Sequence, residues 1–169
     1  MFDKTSTIKV KYINPNIPKL ERIGGAKKSA WIDVRASKVE INGHPITWGR
    51  SKAINQWHVP YKAGDVVFIK LGFAMQLPEG EEALILPRSG TFKNYGFMLT
   101  NSMGVIDNAY AGDNDEWGMM YVATRDGILF QYDRVGQFRT IKSMGEIMFE
   151  EVETLGNANR GGYGSTGLK

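Results

Sequence analysis

Apolar and polar side chains alternate along much of this chain, and that alternation sets the first expectation of its fold. Over residues 7–13, Ile8, Val10 and Tyr12 share one face while Lys9 and Lys11 share the other, the two-residue period of a half-buried strand. Residues 65–75 carry a stronger version, because Val67, Ile69, Leu71, Phe73 and Met75 all have one parity. Pro78, Glu79 and Gly80 then form a turn. Further strands are predicted at 83–86, 97–99, 119–123, 127–130, 134–141 and 146–152, each bounded by Gly, Asn, Asp or Pro. Residues 89–95 read as a short helix, with Ser89 as N-cap and Gly96 as the C-terminal stop. Residues 42–63, with Gly43, Pro45, Gly49, Pro60, Trp48 and Trp57, break the rhythm and read as an insertion between strands. That insertion is either an elaborated surface hairpin whose tryptophans cover a neighbour or a binding site. Many short strands with a single helix predict an all-β sandwich or barrel.

Composition agrees and narrows the chemistry. A length of 169 residues suits one domain, or one subunit of an oligomer. The domain is expected over 1–156, with a polar, glycine-rich tail at 157–169 that packs no core and closes over something if it acts at all. Twenty glycines, roughly 12% against a usual ~7%, indicate many turns and close backbone approaches. The absence of cysteine excludes a disulfide framework and any Cys-ligated zinc or iron–sulfur centre, and fits a reducing compartment. The net charge of +3 invites a nucleic-acid reading, but its distribution argues against one. The first 28 residues hold seven basic and two acidic side chains, leaving 14 basic against 16 acidic in the remainder, so the excess is terminal rather than spread over a binding face. No apolar run approaches the ~18 residues of a membrane span, and no signal-like apolar stretch follows Met1. The expectation is a soluble, cytoplasmic chain with no membrane partner and no stable nucleic-acid binding.

Three segments carry candidate chemistry. The tail Arg160-Gly161-Gly162-Tyr163-Gly164-Ser165-Thr166-Gly167 combines a guanidinium fork, close-approaching backbone amides and hydroxyl donors, which suits a phosphate as well as it suits a disordered linker. It lacks the Walker pattern. Pro87-Arg88-Ser89-Gly90 ends a strand where a helix begins, so amides and the Ser89 hydroxyl could hold an anion beside Arg88, or simply cap the turn. Asn101-Ser102-Met103-Gly104-Val105-Ile106-Asp107-Asn108-Ala109-Tyr110-Ala111-Gly112-Asp113 puts one carboxylate at the rim of a hairpin beside Tyr110. Such a carboxylate can take a proton from a held water, although with an ordinary pKa of ~3.9 it is a base only by position. It could equally be an Asx-type turn.

Taken in order, with Ala30-Trp31-Ile32-Asp33-Val34-Arg35-Ala36 upstream and Asp133-Arg134-Val135-Gly136-Gln137 downstream, these segments closely resemble the five motifs of the trimeric dUTP pyrophosphatase (dUTPase) family. The resemblance covers nearly the whole chain and looks most like members from Gram-positive bacteria and their phages. It implies a distorted jelly-roll-like β-barrel or sandwich forming a homotrimer, with a swapped or crossing C-terminal tail and active sites shared between subunits. It implies hydrolysis of dUTP to dUMP and pyrophosphate, keeping uracil out of DNA and supplying dUMP for dTMP synthesis.

By the same resemblance, Asp107 would deprotonate the water that attacks the α-phosphorus. Asn101 and the backbone of Gly104, Val105 and Ile106 would read uracil and exclude a 5-methyl group, and Tyr110 would lie where a 2′-hydroxyl would sit. Arg88, Ser89, Gly90 and Gln137 would bind the phosphate chain. Mg²⁺ would be held mainly by phosphates, with Asp33 reaching it through water. A tail from a neighbouring subunit would bring Arg160, Gly162, Ser165 and Thr166 to the phosphates and Tyr163 to the base. The chain departs from the family's usual residues at Trp31 and Tyr132 (usually Gly), Met103 (usually Pro), Asp113 (usually Glu) and Tyr163 (usually Phe), and Arg160 stands only three residues before Tyr163. That spacing leaves two candidates for covering the base, Tyr163 or another aromatic such as Trp117. The competing readings are a dCTP deaminase, related in fold, and a non-catalytic nucleotide sensor that uses the insertion as its partner surface.

Overall fold

The computed structural model describes residues 7–22 and 29–161. Among them the chain forms β1 (Lys9–Tyr12), β2 (Ile32–Arg35), β3 (Lys38–Ile41), β4 (His44–Ile46), β5 (His58–Tyr61), β6 (Val66–Lys70), β7 (Phe73–Gln76), β8 (Glu81–Pro87), α1 (Thr91–Tyr95), β9 (Phe97–Leu99), β10 (Gly104–Ile106), β11 (Gly118–Ala123), β12 (Gly127–Phe130) and β13 (Arg134–Lys142). The two larger sheets run β10-β8-β13-β2 and β4-β3-β6-β11-β9, and two small ones pair β1 with β7 and β12 with β5. All the pairings are antiparallel. This is the expected all-β architecture with one short helix. No helix of the described residues is long and apolar enough to cross a membrane.

The core lies between the larger sheets and is filled from alternate strand positions. Val67, Ile69, Leu71, Phe73 and Met75, the single-parity set of the sequence, are all buried. The run is nevertheless two strands, because Gly72 turns the chain with φ +76°. A Cβ there would sit 2.8 Å from the Ser37 hydroxyl, and its amide donates to Glu116 at 2.8 Å. Parity survives such a break, since it tracks the buried face and not the hydrogen-bond ladder. Aromatic rings pack across the core: Phe97 stacks with Tyr121 at 5.2 Å between centroids, and Trp117 lies 5.4 Å from Phe73 and 5.2 Å from Phe138. Burial pushes the Tyr61 hydroxyl up to about 12 and the Tyr121 hydroxyl higher still; each donates to a backbone carbonyl, of Tyr95 and Val135 respectively.

Three expectations are corrected here. The 42–63 segment is not strandless, because it supplies β4 to the edge of the five-stranded sheet and β5 to the pair with β12, with Val59 and Tyr61 buried. Pro and Gly clustering concealed both. The Trp48 indole is tied down, donating to Ser37 O at 2.9 Å, whereas Trp57 stays half exposed. The strand expected at 146–152 is absent. Its apolar side chains, Ile147, Met148, Phe149 and Val152, lie exposed, because the segment pairs with none of the sheet edges among the described residues and a lone strand has no partner for its backbone. Finally, the helix begins at Thr91 with Gly90 as N-cap and no side-chain cap, so Ser89 does not cap it; Gly96 does end it, at φ 70°.

Gly136 shows how closely the sheets approach. A Cβ there would overlap the Met119 side chain and lie 3.1 Å from Leu86 O. Gly136→Ala is expected to lower unfolding free energy by about 1–3 kcal/mol, measured by urea denaturation.

Candidate active site

Strand β13 sets Gln137 opposite Asp33 of β2 and opposite Leu86 of β8, so three sequence-distant motifs meet at one sheet end. There the Asp33 carboxylate, its side chain 12% exposed, accepts Arg88 Nε at 3.0 Å on one oxygen and Arg134 Nη1 at 3.3 Å on the other. The arrangement holds two guanidiniums with a single carboxylate, which leaves a net positive, fork-shaped donor set suited to a phosphate. Gln137 Nε2 donates to Pro87 O at 3.2 Å, keeping its second hydrogen for another acceptor.

The turn that carries Arg88, Ser89 and Gly90 is fixed from below by Thr91, which is 1% exposed. Its hydroxyl accepts the Arg88 amide at 2.9 Å and donates to Val135 O at 3.2 Å. With no capping duty, Ser89 stands exposed beside Arg88. Arg35, also from β2, donates to Tyr132 O at 2.9 Å and so secures the turn before β13, where Tyr132 sits at φ 66°. Sequence reasoning missed Arg134, Thr91 and Arg35. The Asp133-Arg134 motif was a usable signal for Arg134, but a buried threonine is silent until its partners are seen.

The second group of expected residues lies on the hairpin around β10. Gly104 pairs with Ile85, and a Cβ at Gly104 would overlap the Ile85 side chain, so only glycine lets the hairpin lie this close. Ser102 turns it at φ 59°, and Met103 N donates to Asn101 O at 2.5 Å. Val105 is exposed and Ile106 half-buried. Asp107 follows, exposed, with Oδ1 accepting the Ala109 amide at 2.7 Å. The Asx-turn reading is therefore correct, and it leaves the second oxygen for a water. Tyr110 donates to Glu116 O at 3.3 Å and is 42% exposed.

Asp107 and the arginine cluster do not converge within one chain. Ile106 lies opposite Ala83, which puts Asp107 near the level of Glu82, six residues along β8 from Arg88. At ~3.3 Å per residue along a strand and ~4.8 Å between strands, the separation is roughly 20 Å. Trp117 is 0% exposed, which removes it as a stacking surface. Arg160 is exposed, while Gly162, Tyr163, Ser165 and Thr166 lie outside the described residues.

The class that the fold and site define is a jelly-roll-type all-β domain with a guanidinium–carboxylate cluster at one sheet end and an Asp-bearing hairpin at the other. Comparison with known proteins makes the class specific. The dUTPase family model matches residues 55–167. The chain is 41% identical over 162 residues to the SPbeta prophage-derived deoxyuridine 5′-triphosphate nucleotidohydrolase of Bacillus subtilis strain 168, covering 96% of this chain and 99% of that protein. It is 35% identical over 118 residues to the deoxyuridine 5′-triphosphate nucleotidohydrolase of Rickettsia akari, covering 69% and 78%. Among solved structures, a Staphylococcus bacteriophage 80alpha dUTPase mutant with dUpNHpp superposes with a TM-score of 0.68 at 17% identity, covering 97% of this chain and all of that one. The dUTPase of phage phi11 of S. aureus superposes at 0.62 with 18% identity, covering 90% and 99%. This chain belongs to the dUTPase family.

Thr91→Val removes both hydroxyl bonds and leaves the buried Val135 carbonyl without that donor. It is expected to cost about 1–3 kcal/mol of stability, with Thr91→Ser close to wild type, both read by chemical denaturation.

Proposed function

We propose that the chain hydrolyses dUTP to dUMP and pyrophosphate, with Asp107 as the general base. The observation that carries this reading is the pairing of family membership with the placement of Asp107: exposed, at the end of a glycine-dependent hairpin, one oxygen fixed by the Ala109 amide. Asp107 takes a proton from water as its oxygen bonds to the α-phosphorus. The bond from that phosphorus to the bridging oxygen breaks, and pyrophosphate leaves. Asn101 and the backbone at Gly104, Val105 and Ile106 read the uracil edge, while Tyr110 packs against the deoxyribose and refuses a 2′-hydroxyl. Arg88, Ser89, Gly90 and Gln137 take the phosphate chain, and Arg134 joins them through its shared hold on Asp33.

The donor set fits Mg²⁺ held chiefly by substrate. Among the described residues no group of three or more His, Cys, Asp or Glu side chains is placed to hold a metal, and both Asp33 oxygens already accept an arginine. Asp33 is left to reach a hydrated ion through water, in keeping with the ion's reluctance to shed its waters. The ion supplies neutralisation of charge on the phosphates. The nearer duty of Asp33 is to aim Arg88 and Arg134.

A triphosphate cannot bridge roughly 20 Å between Asp107 and Arg88 of one chain, so the reading draws Asp107 and the arginine cluster from different subunits, in the homotrimer that the family resemblance implies. The exposed apolar side chains of Met144, Ile147, Met148, Phe149, Val152 and Leu155 support an arm that is covered by a second copy. From that arm Arg160, Gly162, Ser165, Thr166 and Tyr163 close over a neighbouring site, and Tyr163 alone is left for the base. The reaction serves the cytoplasm by removing dUTP before it enters DNA.

Incubation with dUTP, dCTP, dTTP and UTP plus Mg²⁺ is expected to yield dUMP and pyrophosphate from dUTP alone, with kcat lowered about 10²–10⁴-fold in Asp107→Asn. Deamination of dCTP, or full turnover by that variant, overturns the assignment. Light scattering is expected to give three times the 18.9 kDa chain mass; a monomer with full activity overturns the shared site.

A further inference from the structure

Strand β10 ends at Ile106 opposite Ala83, and its neighbour β8 begins at Glu81, just after a turn closed by Glu81 N donating to Pro78 O at 3.1 Å. Asp107 and Asn108 therefore leave the ladder where the adjoining strand bends away. The Asn108 carboxamide replaces the lost backbone pairing. Its Nδ2 donates to Pro78 O at 2.7 Å and to Glu81 O at 3.0 Å, with Leu77 O at 3.4 Å. An amide nitrogen carries two hydrogens, so three carbonyls gather around one donor group. Carboxylate and hydroxyl side chains fit this cup poorly: the first offers only acceptors to three acceptors, and the second has a single hydrogen.

Asn108 is also the middle residue of the turn in which Asp107 Oδ1 accepts the Ala109 amide. Anchoring Asn108 to the β7–β8 turn thus anchors both the carboxylate and the amide that orients it. Asp107 is exposed and has no packing of its own to hold it. We propose that Asn108 is the positioning residue for the reaction, holding Asp107 at the angle from which it takes the proton of the attacking water. This rests on the dUTP-hydrolysis reading with Asp107 as base.

The test uses the full chain with dUTP and Mg²⁺, at a temperature where circular dichroism shows every variant folded. Asn108→Ala and Asn108→Asp are expected to lower kcat about 10- to 100-fold while KM for dUTP stays within about threefold, because base and phosphate contacts come from other residues. Hydrogen exchange is expected to quicken at 107–110 and to be unchanged in β8 and β13. If Asn108→Ala does not fold, Asn108→Ser, which keeps one donor, takes its place with the same expectation. A folded variant whose kcat stays within about twofold of wild type, or whose loss lies wholly in KM, overturns the proposal. Wild-type protein that releases no dUMP, or an Asp107→Asn variant with full turnover, overturns the hydrolysis reading instead, so the two failures are separable.

Discussion

Strand β13 lies between β8 and β2 in a register that sets Gln137 against Leu86 on one side and Asp33 on the other, and the placement of the functional side chains follows from it. The side-chain period of a strand is two, so a slip of one residue would turn the site residues inward and the core residues out. Burial of Val135 and Phe138 holds the register from the core side, and Gly136 admits the Met119 side chain where any Cβ would collide. A register shift between Arg134 and Gly136 then lets Arg134 reach Asp33. The apolar face of the strand, and not the polar site itself, decides where the arginines sit.

Legibility in the sequence divides along the same line. Strands whose apolar residues alternate against a buried face, such as β9, β11 and β12, were readable to within a residue, because a two-residue period is a direct record of burial. Strands β2 to β5 were not, since they are short and lie among Gly, Pro and Trp residues that read as loop. The candidate site residues were named through their motif chemistry, and the structure places Asp33, Arg88 and Gln137 together at one sheet end and Asp107 on an exposed hairpin. What supports them was not readable. Thr91, Arg35 and Asn108 act through hydrogen bonds to backbone carbonyls of residues 27 to 97 positions away, apart from the local bond between Thr91 and the Arg88 amide, and no local pattern records such partners. Trp117 was misread for a similar reason, since a tryptophan near a motif looks the same in sequence whether it faces a ligand or Phe73 and Phe138.

The arm beyond β13 shows a different limit. Residues 146–152 carry the apolar run Ile147-Met148-Phe149 that suggested a strand, yet the structure leaves them unpaired with Met148 91% and Phe149 96% exposed. Local preference alone does not make a strand, because the backbone hydrogen bonds and the buried face both have to come from a neighbour. In the proposed trimer that neighbour would be another copy of the chain. The distance between Asp107 and the arginine cluster bears on the same proposed assembly, in which a second copy would complete both the fold and the site.

The two carboxylates of the candidate site are held in opposite ways, and the difference suits the roles proposed for each. Asp33 is nearly enclosed and spends both oxygens on Arg88 and Arg134, which costs it freedom but leaves two forks ordered before any phosphate arrives; ordering that is already present need not be supplied by the ligand. Asp107 is exposed and gives up one oxygen to a single backbone amide, so the other is left able to accept a proton. Exchanging the arrangements would defeat both roles, since a carboxylate saturated by guanidiniums is a poor base and a loosely held one cannot align two arginines. Separation of the two along β8 keeps the cationic cluster from drawing Asp107 into an ion pair of its own, and in the proposed trimer a neighbouring subunit would bring the two to one substrate.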